Sequence, residues 1–249
     1  DIRQVSLTYQ SPAGEVEALR NVSFGIEAGE FVSIVGPSGC GKSTLLSLIA
    51  GLEKPTGGHI FVDGEAVTGP SPKLGLMPQQ DQLFEWRSIW GNVTLALDIR
   101  RQNTPERRKH ASELLRRYGL AEFALQRPSQ LSGGMRQRCA LIRTLASDPS
   151  ILLLDEPFSA LDYQTRLSVS EDIYGIIRQE GKTALLVTHD ISEAISMSDR
   201  IIVLSARPAT VKAVHSPDSL RELSPLRRRD APEFQKIFNR IWKELDINV

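Results

Sequence analysis

The sequence predicts an α/β fold whose parallel-sheet core is interrupted by a helical insertion. Short apolar runs bounded by turn residues, FVSIVG (31–36), ILLLDEP (151–157), TALLVTHD (183–190) and RIIVLS (200–205), read as strands with helical segments between them. ILLL carries no polar alternation, as expected of a strand buried on both faces of a parallel sheet. From about Asp81 to Asp148 the texture changes to charged, helical sequence almost free of strand signals.

The elements follow in order. VSLTY (5–9) alternates as a strand does, and HIFVDG (59–64) and LGLMPQ (74–79) are further strand candidates. TLLSLIAG (44–51) has helical apolar spacing and closes on Gly51. TPERRKHASELLRRYGL (104–120) opens with Thr104 as N-cap, Pro105 at the first position and Glu106 next. RQRCALIRTLAS (136–147) again has helical spacing. After Pro208 a strand is expected, then a polar tail with Arg227–Arg229 and an amphipathic helix, APEFQKIFNRIWKEL. The expected layout is one domain over 1–249: a core from 1–80 and 149–215, a helical subdomain over 81–148, and a helical tail over 216–249.

At 249 residues the chain is long enough for one large domain. With 41% hydrophobic and 24% charged residues it has the make-up of a globular protein, which excludes global disorder. Lys+Arg and Asp+Glu are 30 each, and that balance argues against a nucleic-acid binder. Cys40 and Cys139 have no metal-ligand spacing and are expected as free thiols. No apolar run approaches the roughly 20 residues that span a bilayer, and no signal-peptide pattern opens the chain. A membrane link is therefore expected through a partner.

GPSGCGKS (36–43) fits the P-loop pattern in full, between an apolar strand and a helix. Gly36, Gly39 and Gly41 are expected to free the backbone so that successive N–H groups turn toward phosphate oxygens. Pro37, Ser38 and Cys40 complete the loop. Lys42 supplies a cation for the β/γ-phosphates, Ser43 a hydroxyl for Mg²⁺, and Thr44 reaches the α-phosphate side. ILLLDEP delivers Asp155 at a strand's C-terminal edge, where ligands bind in open α/β sheets. Asp155 is expected to hold Mg²⁺ through water, and Glu156 to face the γ-phosphate and polarise an attacking water. A second glycine-rich turn, LSGGM (131–135), also feeds a helix, the arrangement of a phosphate grip.

Taken together these stretches resemble the ATP-binding cassette ATPases over nearly the whole chain. GPSGCGKST, LMPQ with Gln79, LSGGM, ILLLDEP, SALD (159–162) and VTHD with His189 stand in that family's order. The resemblance implies a P-loop NTPase (RecA-like) core, an N-terminal antiparallel β part and an inserted helical subdomain. It implies ATP and Mg²⁺ as cofactors and a head-to-tail pair of chains. In such a pair Ser132, Gly133 and Gly134 contact the γ-phosphate held by a second copy, with Met135 where the family usually has Gln. Gln79, rather than Gln80, would sense Mg²⁺ and the attacking water, because it follows the strand and sets Asn92–Val93 at the family's distance. His189 would bond the γ-phosphate and hold Glu156 or the water in line. Asp162 would organise the dimer seam. Tyr9, at the end of the alternating run, either stacks on adenine or packs in the core.

DQLFEWRSIWGNV (81–93) and the tail, SARPATVKAV with SPLRRRDAPEFQKIFNRIWKEL, resemble importer cassettes of the nitrate, sulfonate and taurine type. That likeness implies transmembrane permease subunits, and indirectly a periplasmic or lipid-anchored substrate-binding protein. It implies a peripheral place on the cytoplasmic face of the bacterial inner membrane, and no nucleic acid. Phe84, Trp86 and Trp90 either meet the permease or pack the insertion's own core. Arg227–Arg229 either touch anionic lipid or form a solvated charge run. Two rival readings are an ABC ATPase of DNA repair or translation and a non-catalytic ATP-dependent regulator. A GTPase is disfavoured, since no guanine-reading N-K-x-D stretch occurs.

Overall fold

The computed structural model describes residues 1–12 and 14–245; Ala13 and the last four residues of the tail expected at 216–249 lie outside the described residues. The chain divides into two compact units, Asp1–Ser71 with Thr183–Val249, and Pro72–Lys182.

The first unit begins with β1 (Ile2–Ser11), β2 (Gly14–Phe24), β3 (Phe31–Val35), α1 (Lys42–Ile49), β4 (Gly57–Val62) and β5 (Glu65–Ala66). β1 pairs antiparallel with β2 on one side and β4 on the other, and β5 extends β4, giving an antiparallel sheet. Ile2, Val5 and Leu7 bury its inner face.

The second unit holds β6 (Leu74–Met77), α2 (Ile89–Val93), α3 (Leu95–Ile99), α4 (Pro105–Arg117), α5 (Gly133–Leu145), β7 (Ile151–Asp155) and α6 (Tyr163–Gln179). β6 and β7 are parallel, with Leu74 opposite Ile151. The helical segment expected at 81–148 thus belongs to a unit that also contains these strands and α6. α4 starts as its sequence predicts: Thr104 Oγ1 accepts from the Arg107 N–H, Pro105 takes the first turn, and Ala111, Leu114 and Leu115 form the buried stripe.

The chain returns to the first unit through β8 (Thr183–Val187), α7 (Ile191–Met197), β9 (Arg200–Leu204), β10 (Val211–His215), α8 (Pro225–Asp230) and α9 (Pro232–Glu244). β3 lies between β8 and β9, parallel to both, and β10 runs antiparallel on β9. All five residues of β3 are buried, which is why FVSIV lacks alternation. Its one hydroxyl, on Ser33, meets that of Ser198. α9 presses Phe234 and Ile241 into a cluster with Ile191, Ala194 and Ile195 of α7 and Ile201 and Val203 of β9. The tail is therefore part of the core of this unit. No helix of the described residues is long and apolar enough to cross a membrane.

Candidate nucleotide site

Residues 36–44 leave the buried strand β3 and enter α1. Gly39 (φ +71°) and Gly41 (φ +120°) take backbone angles that side chains disfavour, as expected. Gly36 is different: its φ is ordinary, and glycine is required there by crowding. A Cβ at Gly36 would stand 2.8 Å from the Cys40 Sγ and 3.2 Å from the Leu204 Cβ. Gly41 caps α1 without a side-chain hydrogen bond, so the first-turn amides face outward from a short helix with a positive end. Lys42 is buried, and its ammonium donates to the carbonyls of Gly36 (2.8 Å) and Pro37 (3.1 Å), inside the curve of the loop. Pro37 is half-buried, while Ser38, Gly39 and Ser43 are exposed and Thr44 lies between.

Arg207, within the SARPATVKAV stretch, braces this loop by donating from Nη2 to the Gly39 carbonyl at 2.7 Å. Glu53, which no sequence pattern flagged, accepts from the Tyr9 hydroxyl at 2.8 Å. Tyr9 is 40% exposed. Partial burial raises its phenol pKa, a bond with Thr44 opposes that, and the Glu53 carboxylate adds to the rise. Tyr9 thus lies within β1, two residues before its end, with its hydroxyl held by Glu53. Cys40 is a free thiol, pushed up by burial, and so is Cys139, which burial raises to about 12.

In the second unit Leu152, Leu153 and Leu154 are wholly buried and deliver half-buried Asp155 at the strand end. Glu156 follows with φ +43°, a left-handed conformation that is strained for glutamate. It is held there by Ser159, whose N–H (3.2 Å) and hydroxyl (3.0 Å) both donate to the Glu156 carbonyl. Exposed Gln79 donates from Nε2 to the same Ser159 oxygen at 3.2 Å. The structure therefore brings Gln79 to the Glu156 turn. Gln80 is also exposed.

Ser132 is the N-cap of α5, accepting from the Met135 N–H at 3.3 Å, and it is exposed. Met135 keeps this cap, which uses only its backbone. Gly133 and Gly134 form the first turn of α5. A Cβ on Gly134 would lie 2.8 Å from the Val169 Cγ2, so its glycine is set by close packing of α5 on α6. Asp162 caps α6 by accepting from the Thr165 N–H at 3.0 Å. The Thr165 hydroxyl first, and then this N–H, hold its carboxyl below the usual range. The stretch after Gln79 is tied to α5: Arg136 Nε reaches the Asp81 carboxylate (3.1 Å), and Arg143 donates to the carbonyls of Asp81 (2.8 Å) and Gln82 (2.7 Å).

Asn92 is fully buried and accepts from the Phe84 N–H (2.7 Å) while donating to the carbonyls of Phe84 (3.1 Å) and Ser88 (3.0 Å). It fixes the aromatic loop. The three aromatics differ in what they touch. Phe84 is half-buried against Trp86, with ring centres 4.7 Å apart, and Trp86 itself is 71% exposed. Trp90 lies under the Arg108 guanidinium. Beside them is a cavity of about 490 Å³ lined by Leu76, Phe84, Leu95, Ile99, Arg100 and Arg143.

In the first unit His189 is exposed between β8 and α7, where Asp190 caps the helix. The reading of Arg227–Arg229 as a lipid contact or solvated run needs correction. Arg227 is exposed, but Arg228 is wholly buried, because its guanidinium satisfies backbone carbonyls at the end of α7.

A P-loop between a buried strand and a helix, with a carboxylate pair at a strand end, defines a nucleotide-hydrolysing α/β protein. The comparisons with known proteins agree. A family model described as ABC transporter matches residues 19–159. YtlC of Bacillus subtilis (strain 168), named an uncharacterised ABC transporter ATP-binding protein, is 47% identical over 246 residues, 98% of this chain and 95% of that one. The aliphatic sulfonates import ATP-binding protein SsuB of Bacillus thuringiensis subsp. konkukian is 39% identical over 98% of this chain and 95% of its own. Among solved structures, the dimeric post-hydrolysis state of the ATP-binding cassette MJ0796, bound to ADP and Pi, matches at 35% identity. Its TM-score is 0.72, and the match covers 87% of this chain and 97% of that one. The chain belongs to the ABC transporter family, as an ATP-binding and ATP-hydrolysing cassette.

Proposed function

We propose that this cassette energises uptake of a small anionic solute of the sulfonate, taurine or nitrate type. It does so by ATP-driven closure of a head-to-tail homodimer. The observation that carries the catalytic reading is the strained Glu156 turn, held by Ser159 and approached by Gln79. Strain of this kind persists where surrounding structure over-determines it, and it marks reactive positions. Support for the importer reading is the 39% identity to the sulfonate import protein across both chains.

In this reading the P-loop amides and Lys42 neutralise the β/γ-phosphates, and Tyr9 offers its ring to adenine. Glu156 orients water in line with the γ-phosphate and accepts its proton. His189 bonds a γ-phosphate oxygen. Ser132 and the α5 amides of one copy complete the charge shell around the nucleotide of the other. Catalysis rests on positioning and electrostatics. ADP, lacking the γ-phosphate, bridges the copies less well, so hydrolysis reopens them.

Mg²⁺ keeps several water and phosphate oxygens in its shell and needs few protein ligands. The hydroxyl of Ser43, the amide oxygen of Gln79 and the carboxylate of Asp155 are the hard oxygen donors such an ion takes. When bound, it would neutralise charge on the phosphates.

The cavity beside Phe84 and Ile99, with exposed Trp86 at its loop, suits the end of an apolar helix from a permease. In this reading the cassette works on the cytoplasmic membrane face, with a substrate-binding protein acting on the other side.

The test is uptake of radiolabelled taurine, an alkanesulfonate and nitrate by cells carrying Glu156→Gln. One of these fluxes is expected to fall to background. Unchanged uptake of all three would reject the importer reading.

A further inference from the structure

His189 lies on the short link between β8 and α7, so its position is inherited from α7. That helix has seven residues, too few to hold itself together. Its N-terminal end is fixed locally. The Asp190 carboxylate accepts from the N–H groups of Ser192 (2.7 Å) and Glu193 (3.3 Å). The Thr188 hydroxyl donates to buried Glu193 (2.7 Å) and accepts from the Asp190 N–H (3.0 Å). Its C-terminal end is fixed from the tail. Arg228 Nη1 donates to the carbonyls of Ser198 (2.7 Å) and Ile195 (3.3 Å), groups that a helix end leaves without internal partners. The same guanidinium reaches back to its own segment, with Nε on the Leu223 carbonyl (3.1 Å) and Nη2 on the Arg221 carbonyl (3.2 Å). A cation at the negative end of α7 is favourable for the helix dipole, and the residue is wholly buried.

We propose that Arg228 is a positioning residue for His189: by clamping the C-terminal end of α7 to the tail, it fixes the histidine at the helix's other end. The tail thereby sets turnover rather than nucleotide affinity. The inference rests on the reading of His189 as a γ-phosphate contact. The hydrogen bonds described for Arg228 go to α7 and to its own segment, so the binding of ATP is expected to be independent of it.

The experiment compares Arg228→Met and Arg228→Lys with the parent chain, assayed well below their melting temperatures. Arg228→Met is expected to lower kcat roughly ten- to a hundredfold, the scale of small misplacements of a catalytic group, and to leave the KM for ATP within twofold. Lysine reaches fewer of the carbonyls and is expected to restore a large part of the loss. In a His189→Ala background, Arg228→Met is expected to cause no further fall. An equal fall in that background, or an unchanged kcat in the single variant, overturns the proposal. If Arg228→Met does not fold, Arg228→Lys is read in the same cycle. The second readout is the His189 imidazole resonance, assigned by its loss in His189→Ala. It is expected to shift or split in both Arg228 variants, and an unmoved resonance overturns the proposal. Full turnover by His189→Ala would instead sink the γ-phosphate reading, and the resonance alone then decides the positioning.

Discussion

Gln79 and Ser159 share a hydrogen bond of 3.2 Å, and the same serine hydroxyl donates to the Glu156 carbonyl over 3.0 Å. The side chain proposed to sense the nucleotide is thus one hydroxyl away from the backbone of the proposed general base. Replacing Ser159 with Ala removes that link and leaves the P-loop untouched. One hydrogen bond is worth about 1 kcal/mol, so kcat is expected to fall about fivefold with an unchanged KM for ATP. Steady-state phosphate release measures both. A raised KM with full kcat would place Ser159 in nucleotide binding instead.

The left-handed backbone at Glu156 separates stability from activity. Glycine adopts φ +43° without a Cβ penalty. Glu156→Gly is expected to raise the unfolding free energy by about 1 kcal/mol while abolishing turnover. Glu156→Gln keeps the strain, and it too loses turnover while still binding ATP. Urea unfolding of the two variants beside the parent decides this. A less stable glycine variant would mean that the conformation is not strained.

Gly134 sits where α5 meets α6. An alanine there would drive its Cβ to 2.8 Å from the Val169 Cγ2. Overpacking of this kind costs about 1–3 kcal/mol. Gly134→Ala is expected to lose that much stability, and Val169→Ala in the same chain to recover part of it. Thermal melts of the single and double variants test the pairing, and additive losses would contradict it.

Asp162 gives the α6 cap a pH dependence. The Thr165 hydroxyl, and after it the Thr165 N–H, hold its carboxyl below the usual value of 3.8. A carboxyl depressed in the folded state contributes stability above its unfolded pKa, and loses it as pH falls through the folded value. Asp162→Ala is therefore expected to be less stable than the parent at pH 7, with the gap closing below pH 3.8. Asp162→Asn, which keeps an accepting oxygen, should lie between them at pH 7. A gap that persists in acid would remove the carboxylate from the cap.

Much of this was legible in the sequence because the signals are local. A buried strand without alternation, a proline after a threonine cap, and a glycine-rich loop each report on a few neighbouring residues. β2 escaped notice because register shifts against β1, between the pairs Ile2–Phe24, Val5–Val22 and Leu7–Leu19, break the two-residue period. Arg228 escaped for the opposite reason. Three consecutive arginines read as a solvated run, and only the fold of the tail onto α7 reveals that the middle one is buried. At Gly36 the expected cause, backbone freedom, is not the one found: a Cβ there would be crowded by Cys40 four residues on and by Leu204, a contact distant in the chain that the loop pattern does not carry. Ser159 stood within SALD, but its bond to Gln79 joins residues 80 positions apart.

The most direct test of shared sites mixes two variants that are each inactive. Lys42→Ala loses the loop that holds ATP, and Ser132→Arg blocks the turn that would complete a second copy's site. Paired with each other, they form one intact site, from the loop of the Ser132→Arg chain and the turn of the Lys42→Ala chain. Phosphate release is expected to appear on mixing and to scale with the product of the two concentrations. Two folded, mixed variants that stay silent, or a Ser132→Arg chain that hydrolyses ATP at the parent rate by itself, would contradict a reaction centre assembled from two copies.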